Sequence, residues 1–189
     1  TAMIGEAKEV VTAYEAFCQR LENERLSAIS LETGQGSLDS GSVARDLKLV
    51  GSRWGNGHIK FAGIELIDAS GEAKWVFKTG EAMSICLRIV ADQDYEAPVF
   101  AVDVHRFDGF FIGSINNYDS HPMPLPIRRG ENTIRLEIPN LDLPQNSYFL
   151  SLKAYTEADP PLWPDPADVH NQMYQVTVVA DKVRHGLLH

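Results

Sequence analysis

A regular alternation of apolar and polar residues, which recurs from residue 59 onward, is the feature that most constrains the fold. In the segment MSICLRI at 83–89 every second residue is apolar. Because successive side chains of a strand point to opposite faces, this segment predicts a half-buried β-strand. The turn signals Ser70-Gly71 and Asp108-Gly109 separate such segments, and no helical pattern lies between them. We therefore predict an all-β fold, an antiparallel β-sandwich. The other predicted strands are 59–67, 75–77, 99–107, 110–115, 133–138, 148–154 and 174–178.

The first fifty residues follow a different pattern. Apolar residues at three- and four-residue steps predict a helix over residues 6–30, which either packs on its own domain or pairs with a partner. The Gly/Ser-rich stretch 32–42 is typical of a flexible linker. We thus predict three parts: residues 1–30 with the helix, 31–50 as the linker and 51–189 as the sandwich. The apolar stripe of the helix is Ala7, Val10, Val11, Tyr14, Phe17, Cys18 and Leu21.

The charge balance and the cysteines restrict the possible partners. Seventeen Lys and Arg against 26 Asp and Glu give a net charge of −9, which argues against general nucleic-acid binding. No secretory signal and no apolar run of about 18 residues is present in the sequence. Cys18 and Cys86 lie in unlike contexts, one in the predicted helix and one in a strand. We interpret both as free thiols of a protein in a reducing compartment.

Motifs that would indicate catalysis are weak. The G-x-S-x-G, P-loop and H-E-x-x-H patterns are absent from the sequence. Asp103 and His105 share a strand face and could bind a metal or relay a proton, although outward polar pairs of this kind arise often by chance. Asp92, Asp94 and Glu96 resemble part of a calcium loop but lack its glycine and its distal glutamate, which favours a solvated acidic loop. Acidic residues are plentiful, yet no feature of the sequence distinguishes two of them as the catalytic pair of a glycosidase.

A binding surface agrees better with the alternation. The outward positions carry aromatic rings beside planar polar groups, and this combination suits a sugar, whose C–H face packs on rings and whose hydroxyls bind polar groups. Arg88 and Lys153 could also hold an acidic group of the ligand. The alternative is an ordinary solvated sheet face, or one that a dimer partner covers. The candidate carbohydrate-binding residues are Arg88, Asp103, His105, Asn116, Lys153 and Tyr155.

An ordered series of short motifs points to a family. The motifs are RWGNG at 53–57, FKTGE at 77–81, RFDG at 106–109, IGSIN at 112–116 and IPNLDL at 138–143. Together they resemble the C-terminal carbohydrate-binding domain of Wzt-type polysaccharide ABC transporter ATPases, over about residues 50 to 180. The segment GEAKEVVTAY at 5–14 is similar to the last helix of the ATPase domain in these proteins.

The resemblance implies a fold, a ligand and a set of partners. It implies an immunoglobulin-like sandwich without catalytic activity or cofactor, which forms a homodimer by exchange of a C-terminal strand, here shortened to residues 183–189. It implies recognition of the modified non-reducing end of a lipid-linked O-antigen polysaccharide, whose mark is a methyl, phosphate or acidic-sugar cap. The parent ATPase domain and a transmembrane permease would be partners at the cytoplasmic face of the inner membrane. The alternative hypothesis is a structural dimerisation or scaffold domain without a glycan ligand.

Overall fold

The structure is a computed structural model that describes residues 52–118, 124–157 and 165–180, with five helical residues near the N-terminus. Its described strands form two facing sheets, as the alternation predicts. The strands are β1 (Ser52–Trp54), β2 (Ile59–Asp68), β3 (Val76–Lys78), β4 (Met83–Ala91), β5 (Val99–Arg106), β6 (Phe111–Asn116), β7 (Gly130–Ile138), β8 (Asn146–Tyr155) and β9 (Asp168–Val179).

The larger sheet has the strand order β1-β9-β8-β5-β6, with β3 beside β9, and the smaller has the order β2-β4-β7. The buried apolar residues of the two sheets meet between them and form one core. Its largest fully buried side chains include Tyr148, Tyr174, Phe61, Phe77 and Phe100. The all-β sandwich predicted from the sequence is therefore confirmed.

Three details of the sheets differ from the prediction. The short strand β1 pairs with β9 and was not predicted, because three residues are too few to show an alternation. β9 begins at Asp168, whereas the sequence predicted this strand only over 174–178. β3 pairs with β9 in parallel, so one pair departs from the antiparallel pattern. The hairpin predicted at Asp108-Gly109 is confirmed, since the Gly109 N–H donates to the Arg106 carbonyl at 2.8 Å.

Several predictions concern segments outside the described residues. These are most of the helix over 6–30, the linker and the C-terminal strand over 183–189. Phe17 and Leu21 are helical, and both are about half exposed, at 48% and 47%. In the part of the chain that the structure describes, no helix has the length and apolar character needed to cross a membrane. Cys86 is a free thiol.

A buried ion pair ties the two sheets together beside β1. Arg53 of β1 donates from Nε to Oδ1 of Asp168 at 3.0 Å and from Nη2 to Oδ2 at 2.7 Å. The backbone N–H of Phe61, on the smaller sheet, donates to the same carboxylate at 2.8 Å, and Arg53 donates back to the Phe61 carbonyl. Burial would raise the pKa of Asp168, but the His170 ring, whose Nε2 lies 3.3 Å from Oδ2, and the hydrogen bonds from Arg53 overcome this effect and lower it. Asp168 is therefore ionised and fixes the start of β9.

Candidate functional site

The outer face of the larger sheet carries a hollow above its central strands. A single cross-strand row runs over five strands there, since Trp54 pairs with Val169, Val169 with Lys153, Lys153 with Ala101 and Ala101 with Asn116. Residues in such a row share one face of the sheet. The hollow has a volume of about 640 Å³ and continues into a second one of about 450 Å³. We call the two together the β5–β8 cleft; they share Asp103, His105, Phe111 and Lys153.

The floor of the cleft holds an ion pair. Asp103 of β5 lies one diagonal step from Lys153 of β8, and Lys153 Nζ contacts Asp103 Oδ2 at 2.5 Å. The Asp103 side chain is only 8% exposed, whereas that of Lys153 is 34% exposed. The carboxylate thus forms the bottom of the cleft and the ammonium group its wall. Such a pair offers an acceptor and a donor side by side, the arrangement that two neighbouring hydroxyl groups of a ligand can bind.

His105 and Phe111 form the end of the cleft near the β5–β6 hairpin. The two rings meet edge to face, with 5.6 Å between their centroids. Nδ1 of His105 is buried and has no hydrogen-bond partner among the described residues. Burial lowers the pKa of His105, and the nearby Lys153 charge lowers it further, while Asp103 opposes the shift. The His105 ring is therefore neutral where it lines the cleft.

The shifted histidines predict a loss of stability in mild acid. Burial lowers the pKa of both His105 and His170, so each binds a proton more readily in the unfolded chain. Their contribution to the free energy of unfolding should be fully present above about pH 6.5, the pKa of histidine in the unfolded chain, and should be lost as the pH falls below that value. We expect a lower urea midpoint at about pH 5.5 than at about pH 7.5. The His105→Gln variant should show a smaller fall; an equal or greater midpoint at the lower pH would contradict this prediction.

The other half of the cleft comes from β1, β8 and the start of β9. Burial raises the pKa of Tyr155, so its hydroxyl stays protonated and can donate or accept. Trp54, Asn171 and Gln172 also line this half, and the sequence analysis missed all three as site residues. Gln172 has a positive φ of 51° at an irregularity of β9, where its N–H donates to Ser151 Oγ at 2.9 Å. The polar run His-Asn-Gln at 170–172, between two apolar stretches, was the available signal.

The structure brings together five of the six candidate residues. Asp103, His105, Asn116, Lys153 and Tyr155 line the β5–β8 cleft. Arg88 does not join them, because it lies on β4 of the smaller sheet. Its guanidinium group covers Gly63, where an added Cβ would lie 2.7 Å from Arg88 Nη2. The alternation predicted that Arg88 faces outward, which is correct, but it could not tell which sheet carries the residue.

The acidic loop contacts protein side chains. Arg128 donates to Asp94 at 3.1 Å and to Glu96 at 3.3 Å, and Asp92 contacts His58 at 2.6 Å. Within the described residues, no cluster of three or more His, Cys, Asp or Glu side chains could hold a metal ion. These contacts agree with the interpretation of residues 92–96 as a solvated loop.

Comparison with known proteins identifies the family to which this domain is similar. A profile described as the Wzt C-terminal domain matches residues 50–189. The crystal structure of the C-terminal domain of wzt aligns with a TM-score of 0.61 at 16% identity, covering 73% of this chain and 87% of that one. This likeness shows the same fold.

Two other solved structures are less similar. Bacteroides uniformis β-glucuronidase has a TM-score of 0.36 at 13% identity, covering 51% of this chain and 11% of that chain. A CARDB domain from Pyrococcus furiosus has a TM-score of 0.34 at 9% identity, covering 62% and 92%. Neither carries a functional argument, and no curated protein sequence matches the chain. The profile match spans the described sandwich from β1 to β9, and on this basis the chain belongs to the Wzt C-terminal domain family.

Proposed function

We propose that this domain binds the end of a polysaccharide chain in the β5–β8 cleft and carries out no reaction on it. The observation that supports the proposal most is the meeting of Asp103, Lys153, His105 and Phe111 in one hollow. Three of them were selected as sugar-binding candidates from the alternation alone. A paired carboxylate and ammonium group, a neutral imidazole and an aromatic ring are groups that bind hydroxyls and a pyranose face.

Membership in the Wzt C-terminal domain family implies a role within an ABC transporter. We propose that the ligand is the modified non-reducing end of a lipid-linked O-antigen polysaccharide, and that binding permits its export. The partners would be the ATPase domain and a transmembrane permease; residues 5–14 resemble the last helix of such an ATPase domain. The domain would then act at the cytoplasmic face of the inner membrane. Residues 31–50 would link it to the ATPase domain and residues 51–189 would form the binding module.

Two matched variants test the site. We expect Tyr155→Ala to weaken glycan binding at least about tenfold, since it removes a ring and a hydroxyl from the wall of the cleft. Arg88→Ala removes a larger, charged side chain from the opposite sheet and should leave binding unchanged. Titration of both variants with a capped O-antigen oligosaccharide measures the two affinities, and circular dichroism verifies folding. Equal affinities in the two folded variants would place the site outside the cleft.

The second candidate function is a dimerisation or scaffold domain. One observation favours it: an apolar cavity of about 210 Å³ between the sheets, on the side of the edge strands β6 and β7. Val178 lines it, so the chain leaves β9 close by, which agrees with exchange of the C-terminal strand between two copies. Sedimentation together with a glycan array separates the two functions. A dimer that binds no glycan would favour the scaffold.

A further inference from the structure

The positive charge in the β5–β8 cleft is already neutralised. Lys153 is the lysine that lines the cleft, and Asp103 lies 2.5 Å from its ammonium group. An anionic ligand group that approached Lys153 would also approach the Asp103 carboxylate, whose side chain is 92% buried and cannot turn away into solvent. Like charges brought together in this way oppose binding.

The other basic side chains near the cleft do not supply a charge either. Burial keeps the pKa of His105 low, so its ring is neutral at neutral pH. Arg106, at the hairpin, donates to Asp108 at 2.9 and 2.5 Å, and Arg53 is held by Asp168 behind the sheet. Among the described residues of this region, each basic group is therefore neutral or paired with a carboxylate.

The connection between β8 and β9 carries negatively charged side chains. In the described part of the connection between β8 and β9 the charged residues are Glu157 and Asp165, and the sequence of residues 156–167 contains no lysine or arginine. Tyr155 and Pro166, at the two ends of this connection, both line the cleft. The net charge of the whole chain is −9. The electrostatic field around the site thus opposes the approach of an anion.

The groups that remain are uncharged. Asn116, Asn171, Gln172 and Tyr155 line the cleft with polar groups that carry no charge, and the ring of Phe111 offers an apolar platform. The apolar surface extends beyond the cleft, because Phe107 and Phe110 of the same hairpin are each 61% exposed. This set binds hydroxyls and C–H faces, and it contains no positive charge to balance that of a phosphate or carboxylate.

We infer that the β5–β8 cleft takes an uncharged saccharide end and rejects one that carries a phosphate or an acidic sugar. The inference rests on the proposed function and narrows it. It differs from the hypothesis drawn from the sequence, in which Arg88 and Lys153 could hold an acidic group together. Arg88 lies on the other sheet, and Lys153 is paired with Asp103.

A glycan array tests the inference with the full chain. The probes are neutral oligosaccharides, each printed beside the same oligosaccharide with a terminal phosphate or hexuronic acid. We expect the neutral member to bind at least about tenfold more tightly than its charged counterpart. Raising the salt from about 50 to about 500 mM should leave binding of the neutral probe unchanged, because no ligand charge is screened.

The outcomes separate the inference from the proposed function. If charged probes bind as well as neutral ones, or better, and Tyr155→Ala abolishes both, the inference fails and the proposed function stands. If no probe binds, both fail. The Asp103→Asn variant should reduce the ratio of the affinities for neutral and charged probes at least about threefold, because it leaves the Lys153 ammonium group without its carboxylate and able to bind an anion. If that variant does not fold, Lys153→Met should retain the preference for neutral probes, and a reversal of the preference would overturn the inference.

Discussion

Replacing Asp168 with asparagine is expected to lower the free energy of unfolding by about 3–5 kcal/mol. The carboxylate is fully buried and accepts hydrogen bonds from Arg53 and from the backbone of Phe61. Asparagine has nearly the same shape but no charge, and one of its two polar atoms is a donor that faces other donors. The Arg53 guanidinium would then stay buried without its counter-charge, and this is the main cost. Urea unfolding at neutral pH measures the change.

The control is the same substitution in an exposed pair. Asp108 also binds an arginine through two contacts, at 2.9 and 2.5 Å, but its side chain is 41% exposed. Water replaces the lost interaction there, so Asp108→Asn should cost much less than Asp168→Asn. Equal losses in the two variants would show that burial of the Asp168 pair has no special role.

Gly55→Ala is expected to destabilise the fold by about 3 kcal/mol or more, from a clash and backbone strain together. Gly55 has a φ of 154°, and a Cβ added there would lie 2.3 Å from the Ala167 carbonyl oxygen and 2.8 Å from Asp168 Cα. That neighbour is backbone, which cannot move aside as a flexible side chain would. The same backbone accepts hydrogen bonds from Asn56 at 3.1 Å and from Gly57 at 2.9 Å. A displacement would therefore also disturb the start of β9, where the cleft has one wall.

Gly113→Ala is the matched control for this prediction. Gly113 lies in the edge strand β6, and an added Cβ there would meet nothing within 4 Å. We expect a change within about 0.5 kcal/mol. Thermal unfolding of both variants provides the comparison. A loss of stability at Gly55 no larger than that at Gly113 would mean that the contact between β1 and the start of β9 relaxes easily.

Asp168→Asn and Gly55→Ala are both expected to have large effects because both disturb the attachment of β1 to β9. β1 is only three residues long and pairs with β9 alone, so its own hydrogen bonds hold it weakly. The Arg53–Asp168 pair and the close approach of Gly55 to Ala167 supply the remaining attachment. Trp54 lies between these two anchors and lines the cleft. The anchors thus hold one wall of the proposed binding site in place.

Much of the site could be predicted because alternation fixes which residues share a strand face. Asp103 and His105 on β5, and Lys153 and Tyr155 on β8, were assigned outward positions in this way, and they do line one cleft. Arg88 shows the limit of the argument. It faces outward as predicted, yet it lies on the sheet that does not carry the cleft. Periodicity along a strand contains no information about which strands are hydrogen-bonded neighbours.

The class of fold and the family could be predicted from the residues alone, since the positions of the strands follow from local periodicity and the ordered motifs lie within continuous segments of the chain. The order of the strands could not be predicted in this way, and neither could the pairing of Asp103 with Lys153 or of Arg53 with Asp168, which depends on it. These partners are far apart along the chain, and they meet because sheet pairing and burial bring β1, β5, β8 and β9 together. The positive charge of Lys153 in the cleft is neutralised because one of these pairings places Asp103 beside it.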